Sequence, residues 1–131
     1  IKNPIFRGGG RIFGPRVRDY SQKINKKLKN IARKSALSIK ARSNSIFVVE
    51  EFSFDKPSTK GLDQFLKLLK TDTKNSLLIF AEENKNVYLS TRNLKKAESV
   101  IACELNTYLI SKAQNLVFFE NSISELEKHL N

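Results

Sequence analysis

Four arginines and three aromatic residues near the start of the chain are the residues best suited to binding chemistry. They are Arg7, Arg11, Arg16 and Arg18, and Phe6, Phe13 and Tyr20. An arginine fork can hold a phosphate bidentately or stack on a base, and an aromatic ring every seventh position offers a flat face to an unstacked base. Gly8, Gly9 and Gly10 let the backbone adopt positive φ and approach a surface closely. This combination predicts contact with a polyanion.

The charge of the chain is concentrated in its first third. Residues 1–45 carry 13 Lys or Arg and one acid, Asp19, for a net charge of +12, whereas the other 86 residues carry 11 Lys or Arg and 12 acids, for a net charge of −1. Such a polarised distribution is costly unless a partner neutralises it, and phosphate contacts that release counterions would make binding salt-sensitive. A solvated or disordered tail is the alternative, but the aromatics and the Gly14-Pro15 pair within the charge run favour a binding arm.

A helical pattern begins after Ser21. Ile24, Leu28, Ile31, Ser35 and Ile39 fall at spacings of four, three, four and four, which predicts an apolar stripe along a helix over residues 22–41. Ser21 or Asn25 is the expected N-cap. The charged side chains around the stripe are Lys23, Lys26, Lys27, Lys29, Arg33 and Lys34.

Few residues elsewhere have the types or spacing of a catalytic site. The glycines neither follow a strand nor precede a Gly-Lys-Ser/Thr, so they match no phosphate loop. One histidine, His129, and one cysteine, Cys103, do not make a conventional zinc site. Cys103 lies in an apolar run and is predicted to be a small core residue. We expect no enzyme activity, no metal and no cofactor.

Two pairs of carboxylates could contradict the expectation that the protein has no enzyme activity. Glu50-Glu51 and Glu82-Glu83 follow apolar runs that read as strands, where catalytic carboxylates can lie. Adjacent acids are more often solvated loop charges. An α/β enzyme that acts on nucleic acid or a nucleotide, with the arm as a substrate clamp, therefore remains the alternative.

The rest of the sequence alternates short apolar runs with helical patterns. Predicted strands at Ile46–Glu50, 77–80, 99–103 and Leu116–Phe119 are consecutive apolar runs, typical of strands buried on both faces. With the intervening helices, the first of them capped by Ser58 or Thr59, and a last helix capped by Ser122, the order is α, β, α, β, short α, β, short α, β, α. This order predicts a three-layer α/β fold, with a mostly parallel sheet of about four strands flanked by helices.

The domain organisation follows from the same division. Residues 1–21 are predicted to be an extended basic arm, part of a long loop, and residues 22–131 a single α/β globular domain. No apolar run reaches the roughly 18 residues of a membrane span, and no signal-peptide core follows the basic start, so we expect neither a membrane association nor export.

The run FRGGGRIFGPRVRDYSQKINKKLKNIARKSALS resembles the signature segment of the family of bacterial large-subunit ribosomal protein four, the universal L-four family. In that family a W-R-G-G-G-x-x-F-G-P-R-x-R-D-Y-S stretch precedes a helix reading roughly N-K-K-x-x-x-x-A-x-K-S-A-L. Phe6 stands where the family usually has tryptophan. VVEEFSF, the P-x-T-K from Pro57, LLIF and the STRN that contains Arg92 also resemble family counterparts.

The resemblance implies a structural protein of the large ribosomal subunit. Its domain would lie at the subunit surface and its loop would enter ribosomal RNA toward the peptide exit tunnel, aiding assembly. Because the family has an N-terminal segment and a loop tip before this point, and the chain has no methionine, we expect a C-terminal portion of a longer protein.

The expected partners are large-subunit ribosomal RNA and neighbouring ribosomal proteins, in the cytoplasm, without a homo-oligomer. The candidate RNA-binding residues are Phe6, Arg7, Gly8, Gly9, Gly10, Arg11, Phe13, Arg16, Arg18, Tyr20, Lys23, Asn25, Lys26, Lys27, Lys29, Arg33, Lys34 and Arg92.

Overall fold

A computed structural model describes residues 2–71 and 74–130 of the chain. The helices are α1 (Lys26–Arg42), α2 (Thr59–Leu68), α3 (Lys85–Thr91), α4 (Thr107–Lys112) and α5 (Glu120–Leu130), with a 3₁₀ turn at Ala102–Glu104. The strands are β1 (Ile46–Val49), β2 (Ser76–Phe80), β3 (Ala97–Ile101) and β4 (Asn115–Phe119). The predicted order of elements is confirmed.

The four strands form one parallel sheet in the order β1-β4-β2-β3. β4, the last strand in sequence, pairs with β1 on one side and with β2 on the other, so both inner strands are buried at every position. The predicted α/β class with a parallel sheet of four strands is confirmed. The physical basis is that the side chains of a continuous apolar run point to both faces of the sheet, so all of them are buried only when both faces are covered.

Alternate residues of the inner strands build two cores on opposite faces of the sheet. Leu77 and Ile79 of β2 belong to the core beneath α1, α4 and α5, whereas Leu78 and Phe80 belong to the core beneath α2 and α3. Phe119 of β4 is fully buried in the second core, where its ring stacks on Phe80 with the centroids 4.2 Å apart. These two cores hold the three layers together.

Polar side chains cap the helices that cover the sheet. Ser58 at α2, Asn84 at α3 and Asn106 at α4 each accept a hydrogen bond from the backbone N–H three residues later. Ser58 was one of the predicted caps of α2. Such a cap satisfies a backbone donor that the helix itself leaves unpaired and so fixes where the helix begins.

Several predicted details of the elements are wrong, including the bounds of β3, which runs from Ala97 to Ile101 and not over 99–103. α1 begins at Lys26 and not at residue 22, with Asn25 at the N-cap position, although the Asn25 side chain makes no cap hydrogen bond. Ser122 does not cap α5, which starts at Glu120, because Ser122 lies in the first turn and its hydroxyl donates to the Phe119 carbonyl at 2.6 Å. β1 is not fully buried, since it lies at the sheet edge and the Val48 side chain is 59% exposed.

The environment of Cys103 also differs from the prediction. Cys103 lies in the 3₁₀ turn after β3, not in a strand, and is exposed. Its Sγ is 3.0 Å from Nε2 of His129 on α5. The apolar run around it ends one residue earlier, with the buried Ala102, so the sequence pattern placed the core boundary one position too late.

The apolar stripe predicted on α1 faces solvent. Its four apolar residues are 49–63% exposed; they are Ile24, Leu28, Ile31 and Ile39. The helix packs on the first core through a neighbouring face that contains Ala36 and Leu37, and the Lys40 ammonium donates to the Ala113 carbonyl at 2.6 Å. Periodicity therefore identified a helix but not the side of it that is buried.

In the part of the chain that the structure describes, every helix is too short or too polar to cross a bilayer.

Candidate nucleic-acid interface

The segment that precedes α1 contains no helix or strand between residues 2 and 25. Backbone hydrogen bonds close a compact turn at its start, from the Gly10 N–H to the Lys2 carbonyl at 3.1 Å and from the Gly9 N–H to the Phe6 carbonyl at 2.9 Å. Gly8 has φ +72°, and a Cβ on Gly9 would lie 1.9 Å from the Asn3 carbonyl oxygen. Two of the three glycines are therefore required by the turn itself.

The aromatic residues of this segment do not pack into a core. Phe6 is 60% exposed, Phe13 is 95% exposed and Tyr20 is 72% exposed. Arg18 lies over the Tyr20 ring with its Cζ 4.3 Å from the ring centroid, a cation–π contact that holds the two side chains together. The arginines Arg7, Arg11, Arg16 and Arg18 are all exposed. The segment thus presents flat apolar faces and cations side by side, which is what stacking on bases and pairing with phosphates require.

The single acid of the segment is held by its neighbour. The carboxylate of Asp19 accepts hydrogen bonds from the backbone N–H of Ser21 at 2.8 Å and from the Ser21 hydroxyl at 2.7 Å. The backbone hydrogen bond, and after it the hydroxyl, lowers the pKa of Asp19 below its ordinary value. Asp19 therefore stays ionised and turned onto Ser21, where it organises the local turn ahead of α1.

The basic residues of α1 and its approach form a second, continuous group. Lys23, Lys26, Lys27, Lys29 and Lys34 are exposed, as is Asn25, whereas Arg33 is half-buried. No acid lies in the first turn of α1, and a helix N-terminus already carries partial positive charge. The cations at this end of the helix are therefore not explained by the helix dipole, which would favour acids there.

Arg92 is not joined to that group. It follows α3, and α3 packs over the second core, on the face of the sheet opposite to α1. Its backbone N–H donates to the Tyr88 carbonyl at 3.2 Å, and its exposed side chain borders a depression that Tyr88 and Lys95 also line. The sequence-predicted residues thus divide into two surfaces, one formed by the arm and α1 and one that contains Arg92.

An acidic depression lies at the carboxyl ends of the strands. The sequence placed Glu50-Glu51 and Glu82-Glu83 after strands but did not predict that carboxylates of both pairs meet there. The structure brings together carboxylates and amides from the loops that follow β1 and β2, from the start of α3 and from α5, with the Asn121 amide donating to the Glu51 carboxylate at 2.6 Å. The carboxylates and amides involved are Glu51, Glu82, Glu83, Asn84, Asn86, Asn121 and Glu125, and Lys85 also lines the depression. The sequence held enough information to predict this depression, because the carboxyl ends of parallel strands meet at one edge of the sheet and carboxylates follow two of the predicted strands.

This depression has the position of an active site but not its electrostatics. Lys128 donates to Glu125 at 2.6 Å and lowers the pKa of that carboxyl, opposite to the shift that a general acid needs. The concentrated negative charge also repels phosphates, which disfavours a substrate of nucleic acid or nucleotide. Within the described residues, three or more His, Cys, Asp or Glu side chains nowhere converge as ligands for a metal ion.

The fold and the candidate interface together define a parallel α/β domain that carries a basic, aromatic-rich segment, an arrangement typical of proteins that bind nucleic acid. A family profile described as the Ribosomal protein L4/L1 family matches residues 1–129. The chain belongs to this family.

Individual relatives agree with the family profile. The large ribosomal subunit protein uL4 of Christiangramia forsetii is 54% identical over 130 residues, and that of Flavobacterium johnsoniae is 52% identical over 130 residues. Each alignment covers 99% of this chain and 62% of the relative. The uL4 protein of Parabacteroides distasonis is 50% identical over 129 residues.

This chain therefore spans about 62% of the length of these curated relatives. The names of the relatives describe ribosomal proteins and not enzymes, in agreement with the expectation from the sequence.

Proposed function

We propose that the protein is a structural component of the large ribosomal subunit and binds ribosomal RNA through residues 2–25 and the N-terminal half of α1. The observation that carries the proposal is the concentration of a net charge of +12 in residues 1–45. Most of the charged side chains are exposed, and exposed aromatic residues lie among them. The names of relatives about 50% identical over nearly the whole chain support the ribosomal assignment.

The chemistry of these residues favours contact with RNA backbone and unstacked bases. A-form RNA hides its base edges in a deep groove, so a protein reaches it mainly through phosphates, 2′-hydroxyls and unpaired bases. Arginine forks suit the phosphates, and Phe6, Phe13 and Tyr20 suit the unpaired bases. We further propose that the segment enters the RNA near the peptide exit tunnel and aids assembly, that neighbouring ribosomal proteins contact the α/β domain, and that the protein acts in the cytoplasm without forming a homo-oligomer.

Sedimentation tests this assignment. Tagged full-length protein should migrate with the large subunit in a gradient of cell lysate, and should remain there after a high-salt wash, because buried phosphate contacts are screened less than exposed ones. Migration as a small free protein would contradict a ribosomal role.

A matched pair of variants tests the segment itself. Replacing Arg7, Arg11, Arg16 and Arg18 by glutamine should reduce the slope of log Kd for ribosomal RNA against log salt by about three, since each lost phosphate contact removes roughly 0.7–0.9 from the slope. The control replaces four lysines of the α/β domain by glutamine: Lys56, Lys60, Lys85 and Lys128. Equal changes in slope for the two variants would mean that only the total charge matters.

A further inference from the structure

The α/β domain is itself electrically polarised along its strands. The segments that lead into the four strands (40–45, 70–75, 92–96 and 112–114) contain eight Lys or Arg and one acid, Asp72, which is outside the described residues. Because the strands are parallel, these segments lie at one edge of the sheet, which we call the amino edge. The net charge of −1 of residues 46–131 therefore conceals a basic end, to which those residues contribute six of these eight cations.

The opposite edge has the opposite sign. The segments that follow the strands (50–56, 81–85, 102–106 and 120–125) contain eight acids and two lysines. They include the acidic depression described above. A polyanion is thus repelled from one end of the domain and attracted to the other.

Backbone hydrogen bonds hold the amino edge together. The Asn75 carbonyl accepts from the backbone N–H groups of Gln114 at 2.7 Å and Asn115 at 3.1 Å, and the Ser76 N–H donates to the Lys96 carbonyl at 2.8 Å. The Leu116 N–H donates to the Ser45 carbonyl at 2.8 Å. The loops before all four strands are therefore fixed beside one another.

Four cations of this edge line two adjoining depressions, and two more lie in a neighbouring loop. Lys95, Lys96 and Lys112 line one shallow depression, and Arg92 and Lys95 line the next, with Glu98 common to both. Lys70 and Lys74 lie in the loop before β2, at the same edge. We call these six residues the amino-edge surface, and all six are exposed.

Compensation of helix dipoles explains only part of this charge. Helices that run against parallel strands place their negative C-terminal ends at the amino edge, where cations are favourable. The last helical turns contain Lys40, Arg42, Lys67 and Lys112, and Lys112 also pairs with Glu98, which raises the pKa of Lys112. Of the other five cations, Arg92 is the C-cap residue of α3 and Lys70 directly follows the C-cap of α2, where the dipole also favours a cation. Lys74, Lys95 and Lys96 lie farther along the loops, so the dipoles do not account for them.

We propose that the amino-edge surface is a second contact for ribosomal RNA phosphates, separate from the arm. The inference rests on the proposed function. α1 has 17 residues and ends at the amino edge, so the arm leaves the domain about 25 Å away, at the other end of this helix. Two separated contacts would fix the orientation of the domain on RNA.

A charge-matched pair of double variants of the full-length protein tests the second contact. Arg92→Gln/Lys95→Gln removes two exposed cations from the amino edge, and Lys56→Gln/Lys85→Gln removes two exposed cations from the carboxyl edge. The probe is deproteinised large-subunit ribosomal RNA, with Kd measured across a salt series. The amino-edge pair should reduce the log–log slope by about 1.4–1.8, and the carboxyl-edge pair should leave it unchanged.

The outcomes separate the two proposals. If the arginine variant of the arm reduces the slope while the amino-edge and carboxyl-edge double variants have equal slopes, the second contact is refuted and the function of the arm stands. If the wild-type protein does not bind this RNA, both proposals fail. Unchanged thermal unfolding midpoints in both double variants would exclude a loss of binding through misfolding.

Discussion

The segment before α1 and the inner strands of the sheet follow opposite physical rules. In the segment, the aromatic side chains of Phe6, Phe13 and Tyr20 are 60–95% exposed, and nearly all charged residues are positive. β2 and β4 are buried at every position. Aromatic residues thus serve two purposes in one chain: they stabilise the fold in the strands and remain available to a partner in the segment.

α1 combines features of the exposed segment and of the buried strands. One face packs on the first core through Ala36 and Leu37, while its apolar stripe and most of its lysines face solvent. The helix is therefore a structural part of the domain and a candidate binding surface at once. Stability and binding should accordingly be separable by choosing which region is changed.

Truncation of an aromatic ring should give the largest contrast between the two regions. Phe119→Ala removes a fully buried ring that contacts Phe80 and Phe52, and we expect it to cost about 3–5 kcal/mol of unfolding free energy. Phe13→Ala removes a ring that is 95% exposed and should leave stability unchanged. Chemical denaturation of both variants measures the difference. A comparable loss in Phe13→Ala would show that the segment belongs to the folded core.

A buried hydroxyl should give a smaller contrast. The Ser90 hydroxyl is fully buried; it accepts from the Ser58 N–H at 2.9 Å and donates to the Asn86 carbonyl at 2.7 Å, which ties the start of α2 to α3. Ser90→Ala leaves the Ser58 N–H without its acceptor, and we expect a cost of about 1–3 kcal/mol.

Ser38→Ala is the matched control for this hydroxyl. Ser38 is exposed on α1 and donates only to the Lys34 carbonyl in its own helix, at 2.8 Å. Its replacement should change stability by less than about 0.5 kcal/mol. Equal denaturation midpoints for the two variants would mean that the link between α2 and α3 contributes nothing to the fold.

The smallest expected effect is confined to one carboxyl of the segment. Ser21→Ala removes the hydroxyl that donates to Asp19 but keeps the backbone donor, so the pKa of Asp19 should rise part of the way toward its ordinary value. A depressed carboxylate pKa stabilises the folded turn above the ordinary pKa, and this contribution is lost as the pH falls through the lowered value.

An NMR titration of the Asp19 carboxyl carbon measures this shift. Glu125 serves as the internal reference, because Lys128 and not Ser21 lowers its pKa. An Asp19 titration identical in the variant and the wild type would contradict the hydrogen-bonded turn ahead of α1.

Much of the fold was predictable because its determinants are local. Alternating helical periods and continuous apolar runs predicted the order of elements and the parallel sheet, and Ser58 was recognisable as a cap. The candidate binding residues of the arm and α1 followed from composition and spacing, whereas Arg92 followed from the family resemblance. The role of these residues in RNA binding stays a prediction. Local pattern did not predict that Cys103 is exposed beside His129 of α5, or that α5 begins directly after β4, at Glu120 and before Ser122.

The sequence by itself determined the α/β class and the concentration of positive charge, because both depend on neighbouring residues. Only the tertiary structure decided that β1 is an edge strand with Val48 exposed, and that the stripe of α1 faces solvent. Tertiary structure also gathered the scattered cations before four strands into one surface. Strand order and helix packing arise from contacts between residues far apart in the chain, and such contacts leave no trace in local periodicity.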